Sequence, residues 1–343
     1  RRGCRVENSP VNWLSLLVCI AAIGFGGARL SRYGDVIAEK TGLGRSWVGL
    51  VLLATVTSLP ELVSGLSAVT VAGVPDIAVG DVLGSCVFNL AILVVVDFLH
   101  PKESLYSRAS RGHILSAAFG IVLIGAVAFS LQLARRGEAL AIGHIGAYTP
   151  LIVALYLLAM RTLYQYERRE VAEFVEEVAE RYPHISLRRA AIGYALAAGI
   201  VVAAGIWLPF VGADIARQMG WHDSFVGTLL VAAATSAPEV AVTVAAVRMG
   251  AIDMAVANLL GSNLFDILIL AIDDLFYLDG PLLAGVSHEP PVSASSAIIM
   301  TGAAVIGLFY RPAGQLWRSV SWVSVFLLAL YLLNAYILYR HGA

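Results

Sequence analysis

Charged residues are scarce in this chain. Asp, Glu, Lys and Arg make up 14% of its 343 residues, whereas hydrophobic residues make up 59%. The mean hydropathy of +0.79 is far above that of a soluble domain and arises from several apolar runs of membrane-spanning length. The net charge is -1 and the basic residues lie in short segments between apolar runs, so we expect no nucleic-acid partner. The composition predicts a polytopic protein whose surroundings are the lipid bilayer.

Cysteine is also scarce. The three cysteines, Cys4, Cys19 and Cys86, are unevenly spaced and form no CxxC pair or Cys/His cluster. This spacing argues against both a disulfide framework and a zinc site. The seven histidines are scattered and lie mostly near the ends of apolar runs. We therefore expect no bound cofactor and no enzymatic activity.

Ten apolar runs approach the roughly 20 residues that a helix needs to cross the hydrocarbon core. They centre on 12–30, 46–71, 78–99, 113–133, 142–164, 190–210, 224–247, 254–276, 293–310 and 320–339. The predicted fold is an all-α membrane protein with ten transmembrane helices. The one sizeable polar segment, 164–189, carries Val171, Phe174, Val175 and Val178 at helical spacing, which predicts an amphipathic linker helix on the membrane surface.

Two copies of one unit flank this linker. The stretch "GDVIAEKTGLGRSWVGLVLLATVTSLPE" from Gly34 aligns without a gap on "GADIARQMGWHDSFVGTLLVAAATSAPE" from Gly212. Likewise, "DIAVGDVLGSCVFNLAIL" from Asp76 aligns on "DMAVANLLGSNLFDILIL" from Asp253. Each copy has an odd number of spans, five, so the two copies should have inverted orientations, as in many secondary transporters. The predicted units are 12–163, the linker 164–189, and 190–340.

The basic residues give an independent prediction of topology. Most of the 23 Lys and Arg residues fall in the loops after spans 1, 3, 5, 7 and 9. By the positive-inside rule these loops and the linker are cytoplasmic, which places both termini outside. We expect the plasma membrane as the location and a monomer or a weak oligomer as the assembly.

A proline and a glutamate stand side by side in spans 2 and 7, in "TSLPELVSG" and "TSAPEVAVT". Pro60 has no N–H and its ring clashes with the preceding turn, so the helix should break and leave free carbonyls near Ala54 to Val56. Helical spacing then places oxygen-bearing groups on shared faces of four helices. The candidate ligands are Ala54, Thr57, Ser58 and Glu61, their counterparts Ala232, Thr235, Ser236 and Glu239, and the pairs Ser85 with Asn89 and Ser262 with Asp266.

Three carboxylates near the membrane midplane are costly. Each costs about 2.5–3.5 kcal/mol on insertion scales, or roughly 8–10 kcal/mol for three. Helix packing alone does not offset that cost, whereas bound cations do. The all-oxygen ligand set favours hard cations such as Ca²⁺ and Na⁺.

At these residues the sequence resembles the alpha-repeats of the sodium/calcium exchanger family, within the cation/calcium antiporter superfamily. The likeness lies in "TSLPE…GSCVFN" and "TSAPE…GSNLFD" and the segments that lead into them. It implies sodium-for-calcium antiport by alternating access, with spans 1 and 6 moving across a core of spans 2, 3, 7 and 8. By this resemblance Glu61, Glu239, Asn89 and Asp266 would bind calcium. The remaining hydroxyl and carbonyl candidates would bind the flanking sodium ions.

The motifs depart from the family at several positions. Val56 and Ala234 replace a common Gly, while Asp81 and Cys86 replace common Asn residues. Asp81 either adds a carboxylate near the site or has a helix-end role. Two further acidic residues, Asp97 and Asp274, correspond across the repeats and are interpreted as span-boundary residues.

The charge of Glu61, Glu239 and Asp266 suggests the coupling. Three Na⁺ would neutralise three carboxylates, whereas one Ca²⁺ would leave one negative charge that a proton on Asp266 could balance. Proton-coupled or potassium-dependent antiport by the same core is the nearer alternative. A distant one is an intramembrane protease, because "EEVAER" at Glu176–Arg181 fits an EExxxR pattern, although it lies in the polar linker.

Overall fold

The computed structural model describes residues 10–99, 104–173, 181–219, 232–286, 290–312 and 320–341. Within these ranges the chain is almost entirely helical, apart from one antiparallel pair of short strands. In chain order the elements are α1 (Pro10–Thr41), α2 (Arg45–Trp47), a π-helix π1 (Val48–Leu53), α3 (Ala54–Thr57), α4 (Leu59–Ser67), π2 (Ala68–Ala72), α5 (Pro75–Phe98), α6 (Leu105–Arg108), α7 (Gly112–Arg135), β1 (Ala141–Ile142), β2 (Ile145–Gly146), α8 (Tyr148–Glu173), α9 (Leu187–Met219), α10 (Ala232–Thr235), α11 (Ala237–Arg248), α12 (Ile252–Phe276), a 3-10 turn (Leu282–Ala284), α13 (Pro290–Tyr310) and α14 (Trp322–His341).

Eight helical segments of the described chain are long and apolar enough to cross a membrane. They are Trp13–Thr41, Arg45–Ala72, Pro75–Phe98, Gly112–Arg135, Leu187–Leu208, Ile252–Phe276, Pro291–Tyr310 and Trp322–Arg340. Each matches one of the ten predicted spans. The fifth predicted span corresponds to α8 and the seventh to α10 and α11, and residues 224–231 of the seventh lie outside the described residues.

The predicted start of the fifth span, 142–164, is wrong, because a hairpin occupies its first residues. Residues 141–146 form the hairpin of β1 and β2, whose turn includes Gly143 at a positive φ of 68°. Helix α8 therefore begins at Tyr148, and it continues to Glu173 because residues 151–173 contain no glycine or proline to end it. Part of the predicted linker helix is thus a continuation of the fifth span. The remaining positions that predicted it, Phe174, Val175 and Val178, lie outside the described residues.

The predicted helix breaks are present in both copies. Between α3 and α4, Ser58 leaves the helical region at φ -88° and ψ 9°, and Pro60 follows as the second residue of α4. Between α10 and α11, Ser236 has nearly the same dihedrals, φ -82° and ψ 7°, and Pro238 follows. Because proline cannot donate to the preceding turn, a new helix starts at each break. The glutamate of each motif consequently lies in the first turn of a helix.

The broken helices pack against α5 and α12, which form the centre of the protein. Close approach of the backbones requires small residues. At Gly261 of α12, a Cβ atom would overlap the backbone of Leu50 and stand 2.9 Å from the Cβ of Ala54. Helices α1 and α9 pack along each other against this centre, and Gly205 of α9 faces both break prolines. A Cβ there would lie 2.6 Å from Pro60 and 3.2 Å from Pro238.

Asp97 and Asp274, at the ends of α5 and α12, hold equivalent hydrogen-bond networks. Asp97 accepts from the backbone N–H of Leu105, eight positions later, and from the N–H of Ser321 and the hydroxyl of Ser324. Asp274 likewise accepts from a backbone N–H eight positions later, and it also accepts from hydroxyls at the start of α8. Its donors are the N–H of Leu282, the N–H of Gly146, and the hydroxyls of Tyr148 and Thr149. Both residues therefore have the boundary role that the sequence predicts.

The segment before α9 is hydrogen-bonded to the end of α1. The backbone N–H groups of Arg181 and Tyr182 donate to Glu39, and the Tyr182 hydroxyl donates to Asp35 at 2.8 Å. Asp35 also accepts from Arg45. Burial and the Asp35 carboxylate raise the pKa of Tyr182 above its ordinary value, which keeps the phenol protonated as a donor.

Candidate ion site

The two motif glutamates lie at the centre of the protein. Glu61 is 1% exposed and Glu239 is fully buried. Each stands in the first turn of its helix, where the exposed N–H groups and the helix dipole favour a negative charge. The proline break therefore creates both the carboxylate's position and part of its electrostatic environment.

Four serine hydroxyls connect the glutamates in a symmetric pattern. One oxygen of Glu61, Oε1, accepts from Ser236 at 3.2 Å and from Ser85 at 3.5 Å. The equivalent atom of Glu239 accepts from Ser58 at 3.2 Å and from Ser262 at 3.3 Å. Each glutamate is thus bonded by one serine from its own copy and by one from the other copy. The pattern joins the two breaks into one cluster.

The second oxygen of each glutamate has no hydrogen-bond partner among the described residues. Glu61 Oε2 and Glu239 Oε2 are both buried and unpartnered, and so are Asn89 Oδ1 and Asp266 Oδ1. Buried acceptors are ordinarily hydrogen-bonded, because an unmet lone pair loses its interaction with water. Four such oxygens, contributed by four helices to one cluster, could hold a cation.

Asn89 and Asp266 meet as the sequence predicts, with Asn89 Nδ2 3.5 Å from Asp266 Oδ2. Asn263 was not predicted to belong to the site, but it bridges the two helices. Its Oδ1 accepts from Asn89 Nδ2 at 3.1 Å, and its Nδ2 donates to the carbonyl of Cys86. Cys86 and Asn263 occupy equivalent positions of the repeat. That correspondence was the available signal that they face each other.

The remaining predicted ligands are placed less uniformly. The Thr57 hydroxyl lies 3.4 Å from the Ser262 hydroxyl and donates to the carbonyl of Ala54 at 3.3 Å. That carbonyl also accepts the N–H of Ser58 at 3.0 Å, so within the predicted range Ala54 to Val56 the free carbonyl is not that of Ala54. The carbonyl without its regular donor is that of Val56, since position 60 is a proline. In the second copy, the side chain of Ala232 lies outside the described residues.

Thr235 reaches a fourth acidic residue. Its hydroxyl donates to Asp81 Oδ1 at 3.1 Å, and Asp81 is 3% exposed. Of the two roles that the sequence left open for Asp81, the structure supports a carboxylate next to the site. Its counterpart Asn258 instead donates to the Thr243 hydroxyl at 3.2 Å. The two copies therefore differ in charge at this position.

No basic side chain neutralises the cluster within the described part of the chain. The ion pairs found there involve Asp35 and Asp253 and none of the site carboxylates. Among the described residues there is also no group of three or more His, Cys, Asp or Glu side chains arranged to hold a metal ion by themselves. The candidate ligands are mixed, with two glutamates, an aspartate, an amide and hydroxyls. Such sets of hard oxygen ligands suit Ca²⁺ and Na⁺ better than soft metals.

Comparisons with known proteins identify the family. The sequence pattern of the family described as sodium/calcium exchanger protein matches residues 11–164 and 190–340. The chain is 26% identical to the sodium/calcium exchanger MaX1 of Methanosarcina acetivorans, over 94% of this chain and 96% of that protein. It is also 25% identical to the inner membrane protein YrbG of Escherichia coli, over 74% and 76% of the two chains.

Solved structures show a similar fold. The sodium-calcium exchanger NCX_Mj, soaked with 2.5 mM Na⁺ and 0.1 mM Ca²⁺, superposes with a TM-score of 0.71 at 20% identity, covering 94% of this chain and 97% of that one. The same exchanger without either ion gives a TM-score of 0.68. The protein is accordingly an integral, multi-pass membrane protein, and it belongs to the sodium/calcium exchanger family.

Proposed function

We propose that this protein is a secondary-active antiporter that exchanges Na⁺ for Ca²⁺ across the membrane. The observation that carries the proposal is the set of four buried, unpartnered oxygens on Glu61, Glu239, Asn89 and Asp266. They lie where no basic residue of the described chain balances their charge. Family membership and the relative named as a sodium/calcium exchanger support cation/calcium antiport as the general activity.

In this proposal the four free oxygens bind calcium at the centre. The hydroxyls of Thr57, Ser58, Ser85, Thr235, Ser236 and Ser262, together with backbone carbonyls near the breaks, including those of Ala54 and Ala232, bind sodium on either side. Ca²⁺ and Na⁺ share the glutamate oxygens, so occupancy by one ion excludes the other. Exchange then follows from competition and requires no covalent chemistry.

Alternating access would come from two inverted five-helix units, which brings the number of spans to ten. Two features support the inverted repeat: the equivalent networks of Asp97 and Asp274, and the reciprocal bonds between serines and glutamates. The moving part would be the paired helices α1 and α9, which contact the centre through Gly205 and other small residues. In this arrangement both termini face outside, the linker is cytoplasmic, and the plasma membrane is the location.

The coupling ion is open to one specific alternative. Asp81 adds a carboxylate that interacts electrostatically with Glu61 and Asp266, so the buried charge exceeds the three units of the sodium-balance argument. An additional acidic group is what a proton-coupled cycle would use. This observation favours proton-coupled calcium antiport as the second candidate.

Calcium uptake into proteoliposomes distinguishes these functions. Sodium, potassium and proton gradients are imposed one at a time on vesicles that contain the purified full chain. We expect uptake that depends on an outward sodium gradient and that is abolished when gramicidin dissipates that gradient. Uptake driven by the proton gradient alone would establish the second candidate instead, and no uptake under any gradient would refute antiport.

A further inference from the structure

Asp273 is a buried carboxylate that the central cluster does not include. Its side chain is 0% exposed, and neither oxygen has a hydrogen-bond partner among the described residues. No described basic residue forms an ion pair with it. A bare carboxylate in a protein interior is strongly disfavoured unless something else balances it.

The surroundings of Asp273 contain a second acidic group. Asp273 packs against the α4 backbone at Gly65, with both carboxylate oxygens where a Cβ would stand and Oδ1 2.9 Å from that point. Asp81 interacts electrostatically with Asp273, and the Ser64 hydroxyl faces Asp81. Asp81 Oδ2 is likewise buried and unpartnered. The two carboxylates therefore have three buried oxygens without a hydrogen-bond partner, and these oxygens and the neighbouring serine hydroxyl are all hard ligands.

Helical spacing locates this group relative to the central site. Gly65 follows Glu61 by four residues, and Asp81 precedes Ser85 by four, so each shares a face with a central ligand. Asp273 follows Asp266 by seven residues and lies two turns along the same face of α12. All three displacements run toward the same end of the protein, where the turn before α5 meets the end of α12. There, a Cβ at Gly285 would lie 3.3 Å from Pro75 and 3.0 Å from the Tyr277 hydroxyl.

The equivalent place in the other copy is neutral. The alignment of the two copies equates Gly65 with Thr243, Asp81 with Asn258 and Asp273 with Val96. Asn258 and Thr243 hydrogen-bond each other at 3.2 Å, and Val96 is buried among apolar residues. The duplicated fold therefore does not require acidic residues at these positions. The acidic residues are present in one copy alone, which indicates that they serve a function at that end of the protein.

We propose that Asp273, Asp81 and Ser64 form a second divalent-cation site. It adjoins the central cluster through the hydrogen bond between Asp81 and Thr235, and it lies between that cluster and the end of the protein formed by the turn before α5. Its two carboxylates match the charge of one Ca²⁺. An ion on its way to or from the centre would occupy it, whereas the neutral side of the protein offers no such position. The proposal extends the antiport function, but its test does not depend on transport.

Equilibrium binding of ⁴⁵Ca²⁺ to the detergent-purified full chain in sodium-free buffer tests it. The wild-type protein should bind two calcium ions. The double variant Glu61→Gln/Glu239→Gln, which lacks both central glutamates and keeps Asp266, should still bind one. Adding Asp273→Asn to that variant should weaken the remaining binding by at least tenfold, whereas adding Asp279→Asn, an exposed carboxylate near the same end, should leave it unchanged.

A double variant that binds no calcium while it keeps a cooperative thermal transition would overturn the proposal. So would residual binding that is indifferent to Asp273→Asn. If the double variant does not fold, Asp273→Val alone decides, because valine is tolerated at the equivalent position in the other copy. Stoichiometry should then fall from two to one, and an unchanged stoichiometry refutes the second site.

A further variant separates position from charge. Gly65→Ala places a methyl group where the Asp273 oxygens lie and should weaken the second site without removing a carboxylate. The two proposals also fail in different ways. If the protein exchanges sodium for calcium but binds a single calcium ion, only the second site is refuted. If it binds two calcium ions but exchanges none, only the antiport function is refuted.

Discussion

Replacing either motif glutamate by glutamine should abolish calcium transport without unfolding the protein. At Glu239, the amide oxygen of glutamine can keep the hydrogen bonds from Ser58 and Ser262 that Oε1 now accepts. The amide NH₂ then takes the position of the free Oε2, and it turns two N–H donors toward the bound cation. The variant therefore loses one negative charge and one ligand oxygen while the protein's own hydrogen bonds remain.

The magnitude follows from the burial of the group. Removing one partner of a buried, hydrogen-bonded charge pair costs about 2–5 kcal/mol. With about 1.4 kcal/mol for each factor of ten, calcium binding at the central site should weaken roughly 30- to 4,000-fold. Because Glu61 has the same environment, formed by Ser236 and Ser85, Glu61→Gln should show a loss of the same size.

The assay is sodium-driven ⁴⁵Ca²⁺ uptake by proteoliposomes, with thermal unfolding measured on the same preparations. Glu138→Gln is the matched control, since Glu138 is an exposed glutamate beyond the end of α7. Uptake by the control should equal that of the wild type. If both Glu61→Gln and Glu239→Gln keep half of the wild-type rate at limiting calcium, the shared central site is refuted.

Three further predictions concern the coupling, the boundary networks and the linker. Asp266→Asn should reduce the charge moved per cycle or end sodium coupling, as reported by a potential-sensitive dye; unchanged sodium dependence would remove Asp266 from the coupling. Ser324→Ala removes one of the donors to buried Asp97 and should destabilise the protein by about 1.5–3 kcal/mol, seen as a lower thermal midpoint; an unchanged midpoint would contradict it. Burial and Asp35 raise the pKa of Tyr182 above 10.0, so the stabilisation by this bond is complete below pH 10 and is lost as the pH rises through the raised pKa. The difference in tyrosinate absorbance between the wild type and Tyr182→Phe measures this ionisation. A midpoint of the difference below pH 10 would contradict the prediction.

The helix breaks and the main ligands could be predicted because their causes are local. A proline has no N–H wherever it stands, so Pro60 and Pro238 break their helices regardless of what packs around them. Spacings of three, four and seven residues then decide which side chains share a face. The duplication supplied the remaining information. A carboxylate that recurs at an equivalent apolar position in both copies indicates a shared function, whereas a single one could occur there by chance.

Other features depended on contacts between distant segments. The alignment indicates that Ser58 and Ser236 are equivalent, but not that each crosses to the glutamate of the other copy, over more than 170 positions. Asp273 is next to Asp274 in the sequence. Because Asp274 could be interpreted as a span-boundary residue, nothing in the sequence indicated that Asp273 is buried without a hydrogen-bond partner. The hairpin at 141–146 was missed because its residues are as apolar as the start of a span.

The bonding of Asp97 also has a consequence for biosynthesis. Three of the four donors to Asp274 come from residues that are synthesised before it. In contrast, two donors to Asp97, at Ser321 and Ser324, come 224 and 227 positions later. Until the last helix, α14, is synthesised, Asp97 is a carboxylate with only the N–H of Leu105 to satisfy it. The first half can therefore enter the membrane early but cannot reach its final packing alone. A chain stalled before Ser321 would keep a buried carboxylate at a helix end with one of its three donors.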